Sequence, residues 1–414
     1  MLSVLCTPHH EHHIQNATLI KLSFLKAVDS YINCIKLIYL IINNMKTERL
    51  KSLDMLRGFD LFCLLFFQPI LINTLRIYNN PSLSSIQHQF QHVEWQGFTF
   101  WDLIMPLFMF MSGITIPFAL SKYKSRNKIN NQFYLKIIKR FCWLFFLGWI
   151  VQGNLLALDI YNFHIFANTL QAIAVGYIIS ALIFVHFSLN RQIIFCILFF
   201  STYIFAFAYW GDFNFSQITN LAEQIDRFIL GRFRDGVIWE NGIWRFNDSY
   251  SYTWILSSCN FIVTVMLGMF AGTILRKQNY SQHKRFLILF CLGCILILAG
   301  LSLSPIIPII KRIWSSSMTL YSAGICFVLI SIFYFIIDIK NYTGGKWLMY
   351  YGTNSIVAYC IYKVINFKSI SNSLFFGLEQ WMGDYYSLIG ITFQCLVVFT
   401  ILRYLYRLKI FIKV

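Results

Sequence analysis

Apolar runs long enough to cross a lipid bilayer recur along the chain, separated by short clusters of charged and polar residues. A bilayer core about 30 Å thick needs about 20 mostly apolar residues per helix. The pattern predicts about ten such helices, at 58–76, 98–120, 138–156, 165–187, 192–210, 254–275, 286–303, 317–338, 347–366 and 386–405. The fold class that follows is all-α: a polytopic membrane helix bundle. Residues 1–44 break the pattern. Lys21, Lys26, Asp29 and Lys36 interrupt their apolar stretch, which makes at best an interfacial helix. It also lacks a small-residue cleavage site after an apolar core. We expect the natural first residue to be Met45, ahead of "KTERLKSLDMLRGFD", with one transmembrane domain over 45–414. No repeat of 20 to 50 residues and no long linker divides that domain.

Composition supports this reading. The chain is 57% hydrophobic and 12% charged, with a mean hydropathy of +0.60, outside the range of a soluble globular domain. A net charge of +17 raises the question of nucleic acid, but the cations sit in small groups between apolar runs and not along one stripe. No nucleic-acid partner is expected. Lys122, Lys124, Arg126, Lys128, Lys136, Lys139 and Arg140 lie in one interhelical segment, Arg276, Lys277, Lys284 and Arg285 in another, and Arg403, Arg407, Lys409 and Lys413 in the tail. With alternating helices all three fall on one side, so the cation bias places both termini in the cytoplasm. The opposite side receives the aromatic and acidic outer loop 211–253.

Most cysteines lie in or beside apolar runs and read as small buried hydrophobes. The "CLGC" at Cys291 and Cys294 has metal or redox spacing but no polar surroundings, and the "HHEHH" tract from His9 lacks the fixed geometry of a site. No metal is expected.

Polar groups inside the spans are few, and each needs a reason. Arg57, between Asp54 and Asp60 in "SLDMLRGFD", predicts an ion-pair network that fixes the mouth of the first helix. Gln68, followed by Pro69, sits mid-span as either interhelical glue or a substrate contact. Asp102 lies among Phe98, Phe100, Trp101, Leu103 and Ile104, and His92 stands about one turn before the apolar run. If the second span is helical from Trp95, His92 and Asp102 can share a pocket in which the carboxylate orients the imidazole or a substrate cation. His88 and His92 have the spacing of a metal pair, but no third ligand is evident.

Six stretches occur in a recognisable order: "ERLKSLDMLRGFDLF", "HVEWQGFTFWDLIMPLFMFMSG", "NTLQAIAVGYI", "IDRFILG", "KRIWSSS" and "YYGTNSIVAY". From about Glu48 to the C-terminus the chain resembles the heparan-α-glucosaminide N-acetyltransferase family. The resemblance implies a transmembrane acyltransferase that takes an acetyl group from cytoplasmic acetyl-CoA, as co-substrate, to an amino sugar or glycan on the outer side. It puts the family's catalytic histidine at His92, before Trp95 and Gly97, and its aspartate at Asp102. Gln68 falls where the family carries an asparagine, and Ala172 where it carries an arginine after "LQ".

Catalytic roles are therefore expected for His92, Asp102 and Gln68. The CoA phosphates are expected against the basic face, with Lys122, Arg126 and Arg276, and Asn168 and Gln171 as further donor contacts. Asn354 is a further candidate donor to the thioester oxygen. In the outer loop, Trp239 and Trp244 suit stacking on sugar faces and Glu240 suits an amine, with Trp95 beside His92. Acyl transfer proceeds with His92 as general base or as transient acyl carrier, and the residues do not choose between them. Two other classes stay open: a proton-coupled transporter in which His92 and Asp102 relay protons, and a non-catalytic homologue. Lipid is an obligate partner, homodimer formation stays open, and the expected location is the bacterial inner (cytoplasmic) membrane.

Overall fold

The computed structural model describes residues 50–78, 83–125, 131–152, 161, 163–247 and 250–412. The His9 tract, the expected start at Met45, and Arg126 lie outside the described residues. The described chain is an all-α, multi-pass bundle, with eight helices long and apolar enough to cross a membrane. The first is one helical run, Lys51–Tyr78, made of α1 (Lys51–Phe62), a π-helical turn (Cys63–Phe67) and α2 (Gln68–Tyr78). After the short α3 (Ser84–Gln89) come α4 (Ile104–Ser125), α5 (Asn131–Gln152), α6 (Thr169–His186) and α7 (Leu189–Tyr209). An extramembrane segment holds α8 (Leu221–Leu230) and a hairpin of β1 (Val237–Glu240) and β2 (Ile243–Phe246). Then follow α9 (Ser257–Arg276), α10 (Gln282–Leu303), α11 (Ser316–Phe333), α12 (Leu348–Thr353), α13 (Ser355–Val364), α14 (Phe367–Phe375), α15 (Glu379–Met382) and α16 (Tyr386–Arg407).

Helix starts follow capping chemistry. Asn168, Asn220, Ser281 and Ser315 each accept a backbone N–H of the first turn of α6, α8, α10 and α11. The centre of the bundle is the pair α4 and α9. Gly113 meets the Val265 backbone, Gly268 the Phe110 carbonyl and Gly272 the Ile114 carbonyl, so the two helices run parallel with their backbones in contact. Small residues are what allow such an approach where lipid supplies no hydrophobic drive between helices. At the rim the pattern inverts. On α10, Leu287, Ile295 and Leu298 are exposed, an apolar surface suited to acyl chains.

The bundle has two distinct ends. The Lys124 ammonium donates to the carbonyls of Phe184 and Phe187 at the foot of α6, and Arg276 ends α9 beside it, because α9 parallels α4. α4 has 22 residues, so Ile104 and Ser125 stand roughly 33 Å apart at 1.5 Å per residue. The basic residues thus gather at one end and the His92 loop at the other.

Three expectations need correction. The predicted third span is α5, which starts earlier and carries Lys136, Lys139 and Arg140 in its first half; it is not among the eight apolar spans. The ninth is broken in two: α12 and α13 meet at Asn354, which binds the tail through Ile410 O and Ile412 N. The Arg57 network does not take in Asp60. Arg57 lies 3.5 Å from Asp54, but Asp60 is elsewhere, fully buried. The outer segment also holds a hairpin, turned at Asn241 and Gly242, both at positive φ, as a two-residue turn of the Asn-Gly kind demands.

The outer segment is pinned to the helices below it. The Asp226 carboxylate accepts the N–H groups of Trp254 (2.6 Å) and Ile255 (2.9 Å) just ahead of α9. Arg234, fully buried, pairs with Glu223 at 3.1 Å and covers the Tyr250 ring.

A Cβ at Gly268 would stand 2.0 Å from the Phe110 carbonyl oxygen. Gly268→Ala is expected to cost about 3 kcal/mol by forcing backbones apart, seen as a lower melting temperature in detergent. Gly377→Ala, where a Cβ meets nothing within 4 Å, is the control and is expected to melt like wild type.

Candidate active site

The site is assembled by backbone pairing between two loops far apart in sequence. Gln96 forms an isolated antiparallel bridge with Ile310, and the Gly97 N–H donates to the Ile309 carbonyl at 2.9 Å. Gly97 takes φ +119°, a conformation that glycine adopts freely. The segment from Trp95 is therefore bent and non-helical, not the helix expected, and regular turns begin only at Phe100. Trp95 faces away: its indole N–H donates to the Phe215 carbonyl at 2.8 Å.

This docking sets Lys311 beside His92 and Asp102. His92 Nδ1 lies 2.7 Å from Asp102 Oδ1, and Lys311 Nζ lies 3.3 Å from both. Asp102 Oδ2 accepts the Thr99 N–H at 3.1 Å and lies 3.0 Å from the Thr99 hydroxyl, a capping box that starts the helical run. Thus a carboxylate with no exposed surface is engaged at both oxygens, as buried charge requires. The Lys311 segment is itself held rigidly. Ser257 donates to the Ile313 carbonyl, Asn260 to that of Trp314, and the Thr253 N–H to that of Arg312.

A carboxylate only accepts, so the proton on Nδ1 points to Asp102, and Nε2 carries the lone pair. Nε2 makes no hydrogen bond to any described residue, and the His92 side chain is 54% exposed. The protein mass around the ring lowers its pKa below the ordinary imidazole value, and the Lys311 cation adds to this against the Asp102 hydrogen bond. The arrangement is an oriented, neutral imidazole with one free basic nitrogen at the mouth of the bundle.

Gln68 reaches the same region: its amide donates to the carbonyl of Phe90, two residues before His92, at 3.2 Å. Asn168 and Gln171 cap α6 together. Asn168 also donates to the Gly148 carbonyl at 2.6 Å and Gln171 to that of Ile165 at 3.1 Å, so both amides are engaged within the fold. Lys122 and Arg276 are exposed at the far, basic end. In the hairpin, Trp239 and Trp244 pack on each other with ring centroids 4.6 Å apart, Tyr161 stacks on Trp239, and Glu240 is exposed beside the turn. The structure brings together His92, Asp102 and Gln68, and adds Lys311 and Thr99. Lys311 lies in the "KRIWSSS" stretch without a role of its own in the sequence reading, although a Lys–Arg pair directly after "SPIIPII" is the kind of charge that demands partners in an apolar setting. Among the described residues, no group of three or more His, Cys, Asp or Glu is placed to hold a metal ion.

Heparan-alpha-glucosaminide N-acetyltransferase of Homo sapiens is 30% identical over 154 residues, which is 34% of this chain and 23% of that protein. The Mus musculus protein of the same name is 30% identical over 155 residues, 35% of this chain and 23% of its own length. The chain thus spans less than a quarter of the length of these curated relatives. The family model of a domain of unknown function, DUF5009, matches residues 49–268, including His92 and Asp102 but ending before Lys311. That match takes in more than half of the sequence, and the chain belongs to the DUF5009 family.

Proposed function

We propose that the chain is a membrane acyltransferase that uses acetyl-CoA to acetylate an amino sugar or glycan on the outer side of the membrane. The observation that carries the reading is the His92 imidazole, held by Asp102 at 2.7 Å with its second nitrogen free, in a chain distantly related to a transmembrane N-acetyltransferase. In this reading the basic end is cytoplasmic, by its excess of cations, and so are both termini. Lys122, Arg126 and Arg276 there meet the phosphates of the donor.

Nε2 takes the proton of the acceptor amine as its nitrogen attacks the thioester carbon. The C–S bond breaks, and the thiolate leaves and is protonated. In the alternative sequence Nε2 attacks first and carries the acetyl group itself. Either route needs the neutral ring. Asp102 fixes its tautomer, and Lys311 pairs with Asp102 while its charge disfavours protonation of the ring. Gln68 steadies the His92 loop through Phe90. Trp95, Trp239, Trp244 and Glu240 are the candidate acceptor contacts, while Asn168 and Gln171 act on the donor path by fixing the start of α6.

Purified protein with labelled acetyl-CoA and a panel of amino sugars tests this. His92→Ala is expected to lose ~10²–10⁴-fold in turnover, and Asp102→Asn a similar factor through the wrong tautomer. Wild-type kinetics in either variant would remove that residue from the mechanism. Omitting the acceptor and quenching separates the two routes: label retained on His92 marks the acyl carrier.

The pH profile gives a second check. Because the charged ring is disfavoured, kcat/KM is expected to rise through a single deprotonation with its midpoint below the ordinary imidazole value of 6.5. Lys311→Met removes a cation that opposes protonation of the ring, so its acidic limb is expected at higher pH. A midpoint that stays put in Lys311→Met would show that Lys311 does not act on His92.

A further inference from the structure

Asp60 is the second fully buried carboxylate within the described membrane-spanning helices, and it is unlike Asp102 in every respect but burial. It lies nine residues into α1, roughly 13 Å from the helix start at 1.5 Å per residue. That is close to halfway through the bundle: Cys326, its neighbour on α11, stands eleventh in the helical run Ser316–Ile339. Asp60 is 1% exposed, and neither carboxyl oxygen has a hydrogen-bond partner among the described residues. The titratable groups beside it are the thiols of Cys63 on its own helix and Cys326 on α11. The nearest cation along α1, Arg57, is one turn away and directed to Asp54 and to the Met111 carbonyl of α4, both at 3.5 Å. α4 offers Leu107, Phe110 and Met111 at this level, all apolar, and α12 brings Tyr351 against Phe62.

An ionised carboxylate without counter-charge or donor is not sustained in such surroundings; the group neutralises instead. A neutral acid in a core is also not inert, because both its oxygens and its O–H are left wanting partners. The chain next to it is irregular: the π-helical turn Cys63–Phe67 begins one turn after Asp60, and such turns concentrate where helices serve function.

We propose that Asp60 is a proton-binding site at mid-depth in the bundle, holding an exchangeable proton that it gives up to, and regains from, water reaching it when the α1 helix shifts at its π-helical turn. The O–H bond breaks and re-forms and nothing else changes covalently. Ionised Asp60 draws water between α1 and α11, and neutral Asp60 restores the dry packing, so a proton gradient across the membrane acts on the packing of the bundle. This goes beyond acyl transfer and does not rest on it.

The test is infrared difference spectroscopy on the full chain in phosphatidylcholine vesicles. We expect a carbonyl stretch of a protonated carboxylic acid that moves on exchange into D2O, disappears at alkaline pH and is missing from Asp60→Asn. A spectrum unchanged in Asp60→Asn overturns the assignment. A band that neither moves in D2O nor titrates shows a sealed structural acid and also overturns it. Should Asp60→Asn fail to fold, Asp60→Glu decides: a displaced but still exchanging band supports the site, and an undisplaced one sinks it. No arm requires acetyl-CoA or acceptor, so failure here is separable from failure of the enzymatic reading.

Discussion

The chain must hold a carboxylate where water does not reach, and Asp102 is the point from which the end of the bundle opposite the basic residues is organised. Its two oxygens collect a ring nitrogen, an ammonium and the start of a helical run. Those donors come from the loop before α4, from the loop before α11 and from the first turn of its own helix. The carboxylate therefore joins elements more than 200 residues apart in sequence (209 between Lys311 and Asp102). Without any one of these partners its charge is stranded, which explains why the surrounding loops are pinned by so many backbone contacts.

The same logic separates Asp102 from Asp60. Asp102 lies where loops meet and backbone N–H groups are free to donate. Asp60 lies within a run of helix, where every nearby peptide group is already engaged in its own ladder and only side chains remain to help. Thiols and hydrocarbon are poor substitutes, so the two carboxyl groups are hidden at very different cost.

Much of this was legible in the residues. Apolar runs locate the long helices, since hydrocarbon thickness leaves little freedom in their length, and α4, α7, α10 and α16 match the expected stretches to within several residues. Asn168, Ser281 and Ser315 announce helix starts. Breaks are harder to read, because Asn354 interrupts an apolar stretch for a reason that lies in the tail, at Ile410 and Ile412. His92 and Asp102 stand out as ionisable groups at the edge of lipid. Their partner Lys311 does not, because its meeting with them depends on the pairing of Gln96 with Ile310, which no local pattern encodes. Asn241 and Gly242 did carry a local signal, the two-residue hairpin turn, that an all-helical expectation passes over.

The bridge between Gln96 and Ile310 has a consequence for motion. It is a single rung, but the loop that carries His92 is also tied by Gln68 to the Phe90 carbonyl, by the Thr99 hydroxyl to that of Gln91 and by the Trp95 indole to that of Phe215. Anchorage spread over several separate points resists local fraying, so the imidazole keeps its bearing when any one tie lets go.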